Sequence, residues 1–274
     1  MVEQRILEGS VRLGDSGALT AWASLRWHGA TFFDGTSDGG RTLLPVPLLL
    51  GMGSVRPDPR VTISKAQLAP HELEVVAGMR CAIVERSLFD EIVRVGRLRP
   101  GVIAVEMAVA AGLIEVDEFA AYVRTRPAWT GIPLARKVVP LVDGHCRSPQ
   151  EVRLHLVWRL DAALPPALCN RAVFDRHGTL LGYPDLFDPV AGVVGEYDGA
   201  DHRDAARHQS DVAREALFRD HTLEYFTVVG PDLADLDLVV RRMRSARARA
   251  SFLPPEACSW TLDPPPWWDR PLYR

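Results

Sequence analysis

The sequence predicts an α/β protein in which a mixed sheet is flanked by helices, preceded by a smaller α+β region. Three observations carry this. Residues 145–252 alternate between helical and strand-like segments in the order α-β-β-β-α-β-α. Within them, apolar runs at 183–187 and 190–196 are joined by Asp188-Pro189, which reads as a hairpin. A further apolar run at 223–229 follows a helical stretch and can return parallel to that hairpin.

The 274 residues suit one large or two modest domains, and 47% hydrophobic content supports a sizeable core. The expected division is 1–143, 145–252, and a Pro/Trp-rich tail at 253–274. Residues 1–65 are rich in glycine, with helical spacing at 16–27 and strand-like runs at 43–50 and 60–63. Two short strands are expected around Ala77-Gly78 within 72–83. Helical patterns then run from Ser87 to Val142, with Ser87 and Asp90 placed as a helix start. Residues 101–111 are small and apolar and read as a buried helix.

Beyond Asp143-Gly144, Ser148-Pro149-Gln150-Glu151 combines an N-cap serine, a first-turn proline and an early acid. That helix is expected to reach about Leu164, where Pro165-Pro166 stops it. Strands are expected at 169–175, 179–187 and 191–198, a helix at 204–221, a strand at 223–229 and a long helix at 232–252. The tail, with Pro264 to Pro266 and Trp267-Trp268, reads as an extended strap.

Net charge is −3, so no overall basic field points to nucleic acid. The cysteines at 81, 146, 169 and 258 have no CxxC spacing. That argues against zinc and a disulfide framework and agrees with a reducing cytoplasm. No signal peptide is expected, because Arg5 and Glu8 interrupt the early apolar residues. No apolar run is long enough to span a bilayer.

The chemistry concentrates in the hairpin. Glu196 and Asp198 point to one side of their strand, and Asp185 lies across from them. Three converging carboxylates make the hard-oxygen site that Mg²⁺ or Mn²⁺ prefers. Such a metal can polarise a phosphate and lower the pKa of a water.

Ser148-Pro149-x-Glu151-x-Arg153-Leu154, Pro184-Asp185-Leu186, Glu196-Tyr197-Asp198-Gly199-x-x-His202 and Asp211-x-x-Arg214 occur in this order, followed by Gly230-Pro231-Asp232-Leu233. The combination resembles the DUF559 group, a Vsr-like branch of the PD-(D/E)xK endonuclease superfamily, over about 100 residues. The first 140 or so residues look more loosely like the region ahead of this domain in AbiEi-antitoxin-related proteins. The resemblance implies a restriction-endonuclease-like fold, DNA as partner, and a magnesium-dependent endodeoxyribonuclease. It places Asp185, Glu196 and Glu151 at the metal, and puts Asp198 where the family carries lysine. The chain has no lysine after Lys137. Asp198 is then a candidate to bind a second metal or to hold His202, and His202 is the candidate general base. Arg214 and Arg207 are candidates to hold a phosphate. A homodimer and a protein partner for the N-terminal region are further possibilities. The competing expectation is a nuclease-like binding or regulatory protein in a toxin–antitoxin or phage-defence setting, which the missing lysine favours.

Each residue also has an ordinary reading. Asp185 and Glu196 suit strand ends, Asp198-Gly199 suits a turn, and Glu151 suits the first turn of any helix. His202 can simply open the next helix. The arginines at 241, 242, 244, 247 and 249 read either as a solvated helix face or as phosphate contacts.

Overall fold

The computed structural model describes residues 1–14, 17–37, 39–51, 56–199 and 205–273, with the side chains of 205–212 left undescribed. The chain divides into two units, Met1–Gly144 and His145–Arg274. At 144 residues the N-terminal unit is the larger of the two, contrary to the expectation of a smaller region.

In that unit α1 (Val2–Ser10) precedes β1 (Ala18–Leu19) and α2 (Ala21–Trp27). A short hairpin, β2 (Thr36–Ser37) and β3 (Thr42–Leu43), leads into β4 (Val46–Leu49) and β5 (Val61–Ser64). Next come β6 (Leu73–Val76) and β7 (Met79–Ala82), which turn at Ala77-Gly78. The sheet order is β5-β4-β1-β7-β6. The helices α3 (Val84–Val95), α4 (Leu98–Ala110), α5 (Val116–Arg124) and α6 (Ile132–Val138) complete the unit.

Helix α3 begins three residues before Ser87, which is buried and donates to Ala82 O rather than capping the helix. Helix α4 is buried as its small residues predict. It nevertheless carries Glu106 at 0% exposure, whose carboxylate accepts from the backbone N–H groups of Asp143 and Gly144.

The C-terminal unit opens with α7 (Pro149–Leu156), capped by Ser148 Oγ accepting from Glu151 N at 3.2 Å. Instead of continuing as an α-helix to Leu164, the chain passes into a π turn over Val157–Asp161, with Ala162 N donating to Val157 O. The wider turn rotates the apolar face. Trp158 is fully buried while Leu160 is 38% exposed.

Strands β8 (Val173–Asp175) and β9 (Leu180–Gly182) pair with each other. The expected strand at 179–187 is therefore two strands in different sheets. The second of them, β10 (Leu186–Asp188), pairs antiparallel with β11 (Val193–Asp198). After α8 (Ala205–Asp220), β12 (Glu224–Val229) runs parallel to β11, so the β10-β11-β12 sheet is mixed. Last come α9 (Leu236–Arg249) and β13 (Trp260–Thr261). The C-terminal tail is not a separate strap: β13 extends the β8-β9 sheet, and Tyr273 bridges to Arg171.

Alternation along β11 sends Val193 and Tyr197 toward α7, the π turn and α9, and sends Val194 and Glu196 to the α8 side. Two cores result. One holds Leu154, Trp158, Val193, Phe226 and Met243; the other holds Phe187, Val194, Phe218 and Trp260. Gly195 lies opposite Phe226 in the parallel register, and a Cβ at Gly195 would fall within 3 Å of the Phe226 ring. The bare glycine lets that ring lie over the strand and stack near Trp158, with centroids 6.2 Å apart.

The turn between β10 and β11 is closed by Asp188 rather than by sequence pattern alone. Asp188 is fully buried and accepts from Val190 N, Ala191 N and, at 2.9 Å, from Arg247 Nε on α9. Other α9 arginines also turn inward. Arg242 pairs with Asp232, Arg249 with Glu224, and Arg244 reaches Ala162 O. The arginine-rich helix is therefore largely bound to its own unit.

Candidate active site

Pairing of Leu186 with Gly195 puts Asp185 beside Glu196 on the α8 side of the sheet. Asp185 Oδ2 accepts from Tyr197 N at 2.8 Å, which locks the carboxylate to the neighbouring strand. Glu196 is 9% exposed and stands beside Asp185 across the β10–β11 pair.

Burial pushes Asp185 up to about 6, and the nearby charge of Glu151 adds to the rise. The Tyr197 N–H and the Arg214 charge pull the other way without cancelling it. Glu196 is raised well above its ordinary value, first by burial and then by the charge of Asp185. Each acid thus opposes ionisation of the other, and a nearby positive charge works against that rise.

Arg214 on α8 supplies part of that charge. Its Nη2 lies 2.8 Å from Glu196 Oε1, but without the alignment of a hydrogen bond. The same Nη2 donates to Tyr183 O at 2.8 Å. Gly182 leaves room for the guanidinium: its φ is +156°, and a Cβ there would meet Arg214 Nε at 3.4 Å and Phe218 at 3.1 Å. Arg214 is thus engaged inside the site rather than held out for a phosphate.

Glu151 reaches the group from the first turn of α7. Its Oε2 accepts from Arg147 N at 2.7 Å and from Asn170 Nδ2 at 2.8 Å. Asn170, at φ +51°, also donates to His145 O, so it ties the start of the unit to Glu151. Asp198 is exposed at the end of β11, about 7 Å along the strand from Glu196 and on the same face. His202 lies outside the described residues, and the side chain of Arg207 does as well.

The structure therefore brings Asp185, Glu196, Glu151 and Arg214 together and leaves Asp198 at the margin. Asn170 was missed by the sequence reading, as was the service of Arg214 to Glu196. The only signal for Asn170 was an asparagine in a loop, which suits a left-handed backbone. The donor set fits a hard divalent cation: the carboxylate oxygens of half-buried Asp185 and Glu151 and of buried Glu196, one of the last without an aligned partner.

No family model, curated protein or solved structure matches the chain. Among the described residues no helix is long and apolar enough to cross a membrane.

Proposed function

We propose that the C-terminal unit is a metal-dependent DNA endonuclease of the DUF559/Vsr-like type, with a restriction-endonuclease-like core. The observation that carries this reading is the pairing of Asp185 with buried Glu196 across β10 and β11, with the charge of Glu151 near enough to act on Asp185. Asp185 and Glu196 would hold Mg²⁺ or Mn²⁺, and Glu151 would assist. The bound cation would polarise a phosphate oxygen and lower the pKa of a water.

The rest is done by the chain. Tyr197 N fixes the direction of the Asp185 carboxylate. Arg214 favours the ionised form of both acids, a service that a lysine at the position of Asp198 would otherwise be placed to give. Asn170 and Arg147 N orient Glu151. His202, just beyond β11, is the group assigned to take the proton from water, and Arg207 the group assigned to meet the phosphate.

Calorimetric titration of the full chain with Mn²⁺ tests the metal site. The wild type should bind, and Asp185→Asn should lose the binding heat while keeping its circular dichroism spectrum. Asp185→Ala should likewise lose Mg²⁺-dependent nicking of supercoiled plasmid. A flat wild-type titration would sink the enzyme and leave a nuclease-like binding or regulatory module in a toxin–antitoxin or phage-defence setting.

A further inference from the structure

A second cluster of ligand-forming side chains lies in the C-terminal unit. Cys146 precedes the N-cap of α7, His155 sits in its last turn, and Cys169 lies just before Asn170. The two cysteines are at 0% exposure and the histidine at 2%. One ligand atom from each lies within 4.8 Å of the other two.

We propose that Cys146, His155 and Cys169 bind a zinc ion that holds this part of the unit together. Tetrahedral zinc with Zn–S of about 2.3 Å and Zn–N of about 2.0 Å keeps its ligand atoms some 3.5–3.8 Å apart. The cluster needs only a small contraction to reach that spacing.

Charge fits as well as distance. Two thiolates cancel the charge of Zn²⁺ and the imidazole ligates as a neutral group, so the complex carries no net charge. Neutrality is what a fully buried site demands. Thiolate and imidazole also select a soft or borderline metal, whereas Mg²⁺ and Mn²⁺ prefer oxygen. The two sites would take different ions. A water would complete the fourth position and keep the complex neutral, and the burial of all three side chains argues for a structural rather than a catalytic centre.

The position explains what the ion would do. The chain from the π turn to β8 crosses residues 162–172, with positive φ at Ala163 and Asn170. Zinc would pin this loop to both ends of α7. Glu151 lies on α7 between two of the ligands, and Asn170, next to the third, donates to Glu151. The ion would therefore set the position of Glu151. That last link rests on the proposed nuclease site, whereas zinc binding itself does not.

The test is elemental analysis of the full chain, purified in reducing buffer after growth with added zinc. The wild type should carry about one zinc per chain. Cys169→Ser and His155→Asn should carry less than about a tenth of that. Because those variants can fail to fold, the wild type is also examined directly. A mercurial that titrates thiols should release zinc in step, and exchange with Co²⁺ should give the thiolate charge-transfer and intense d–d bands of a tetrahedral site. Asp185→Asn should lose Mn²⁺ binding and keep its zinc, which separates the two sites. A wild type without zinc or a cobalt spectrum, a different metal in its place, or full zinc in Cys169→Ser would overturn the proposal.

Discussion

Glu72 in the N-terminal unit and Glu196 in the C-terminal unit are both buried glutamates, but their neighbours differ. Glu72 Oε1 accepts from Tyr122 Oη at 2.7 Å and Arg126 Nη2 at 2.8 Å. Its Oε2 accepts from Arg86 Nη1 at 3.1 Å and Ala69 N at 3.3 Å. Burial raises the Glu72 pKa, yet these bonds and the Arg86 charge outweigh burial, and the group ends below its ordinary value. Arg86 is itself shared with Asp90, which Thr20 Oγ1 also bonds at 2.6 Å.

Glu196 has a second acid where Glu72 has a second arginine. It ends well above its ordinary value. The contrast separates a polar network that completes a core from one that is short of positive charge. A carboxylate with an aligned donor on every side, as Glu72 has, specifies a structure, while one without invites a ligand.

The largest expected effect tests the satisfied side. Arg86→Met leaves Glu72 and Asp90 short of a buried partner and should lower stability by about 3–5 kcal/mol in denaturant melts. A loss below about 1 kcal/mol would mean the network is not held by charge balance.

The next effect has the opposite sign. Asp185 has a folded pKa near 6 against 3.8 unfolded, so its contribution is fully present below about pH 3.8 and lost as pH rises through 6. Metal-free Asp185→Asn should therefore be more stable than wild type near neutral pH, by about 3 kcal/mol. The gap should close as pH falls from 6 to 3.8. Thermal melts in chelator across that range measure it, and an advantage independent of pH would point to packing instead.

The smallest effect again concerns Glu72. Tyr122→Phe removes one donor of four and should cost about 1 kcal/mol. A cost near that of Arg86→Met would show that the phenol, and not the arginines, keeps Glu72 ionised.

Much of this was legible where the signal is local. Ser148-Pro149 marked the α7 start because a cap and a first-turn proline act within four residues. The hairpin gave the Asp185–Glu196 register because the strand period is two and the turn is short. What failed to show depended on contacts between distant segments. The π turn at Val157–Asp161 breaks the 3.6-residue period that the helix reading assumes. Cys146, His155 and Cys169 come from three places that no ligand-spacing pattern joins. The arginines of α9 looked solvated because Asp188, Glu224 and Asp232 lie on other elements. The sequence marks Arg214 only as a phosphate candidate, because its approach to Glu196 depends on α8 packing Phe218 against the sheet.

Gly195 carries one more consequence. Its missing side chain and the Phe226 ring occupy one volume across the β11–β12 register. Neither residue is free to drift alone in evolution. A larger residue at 195 demands a smaller one at 226, and the exchange would also withdraw the ring that stacks near Trp158. In divergent descendants of this chain, positions 195 and 226 should therefore covary, and with them the aromatic at 158.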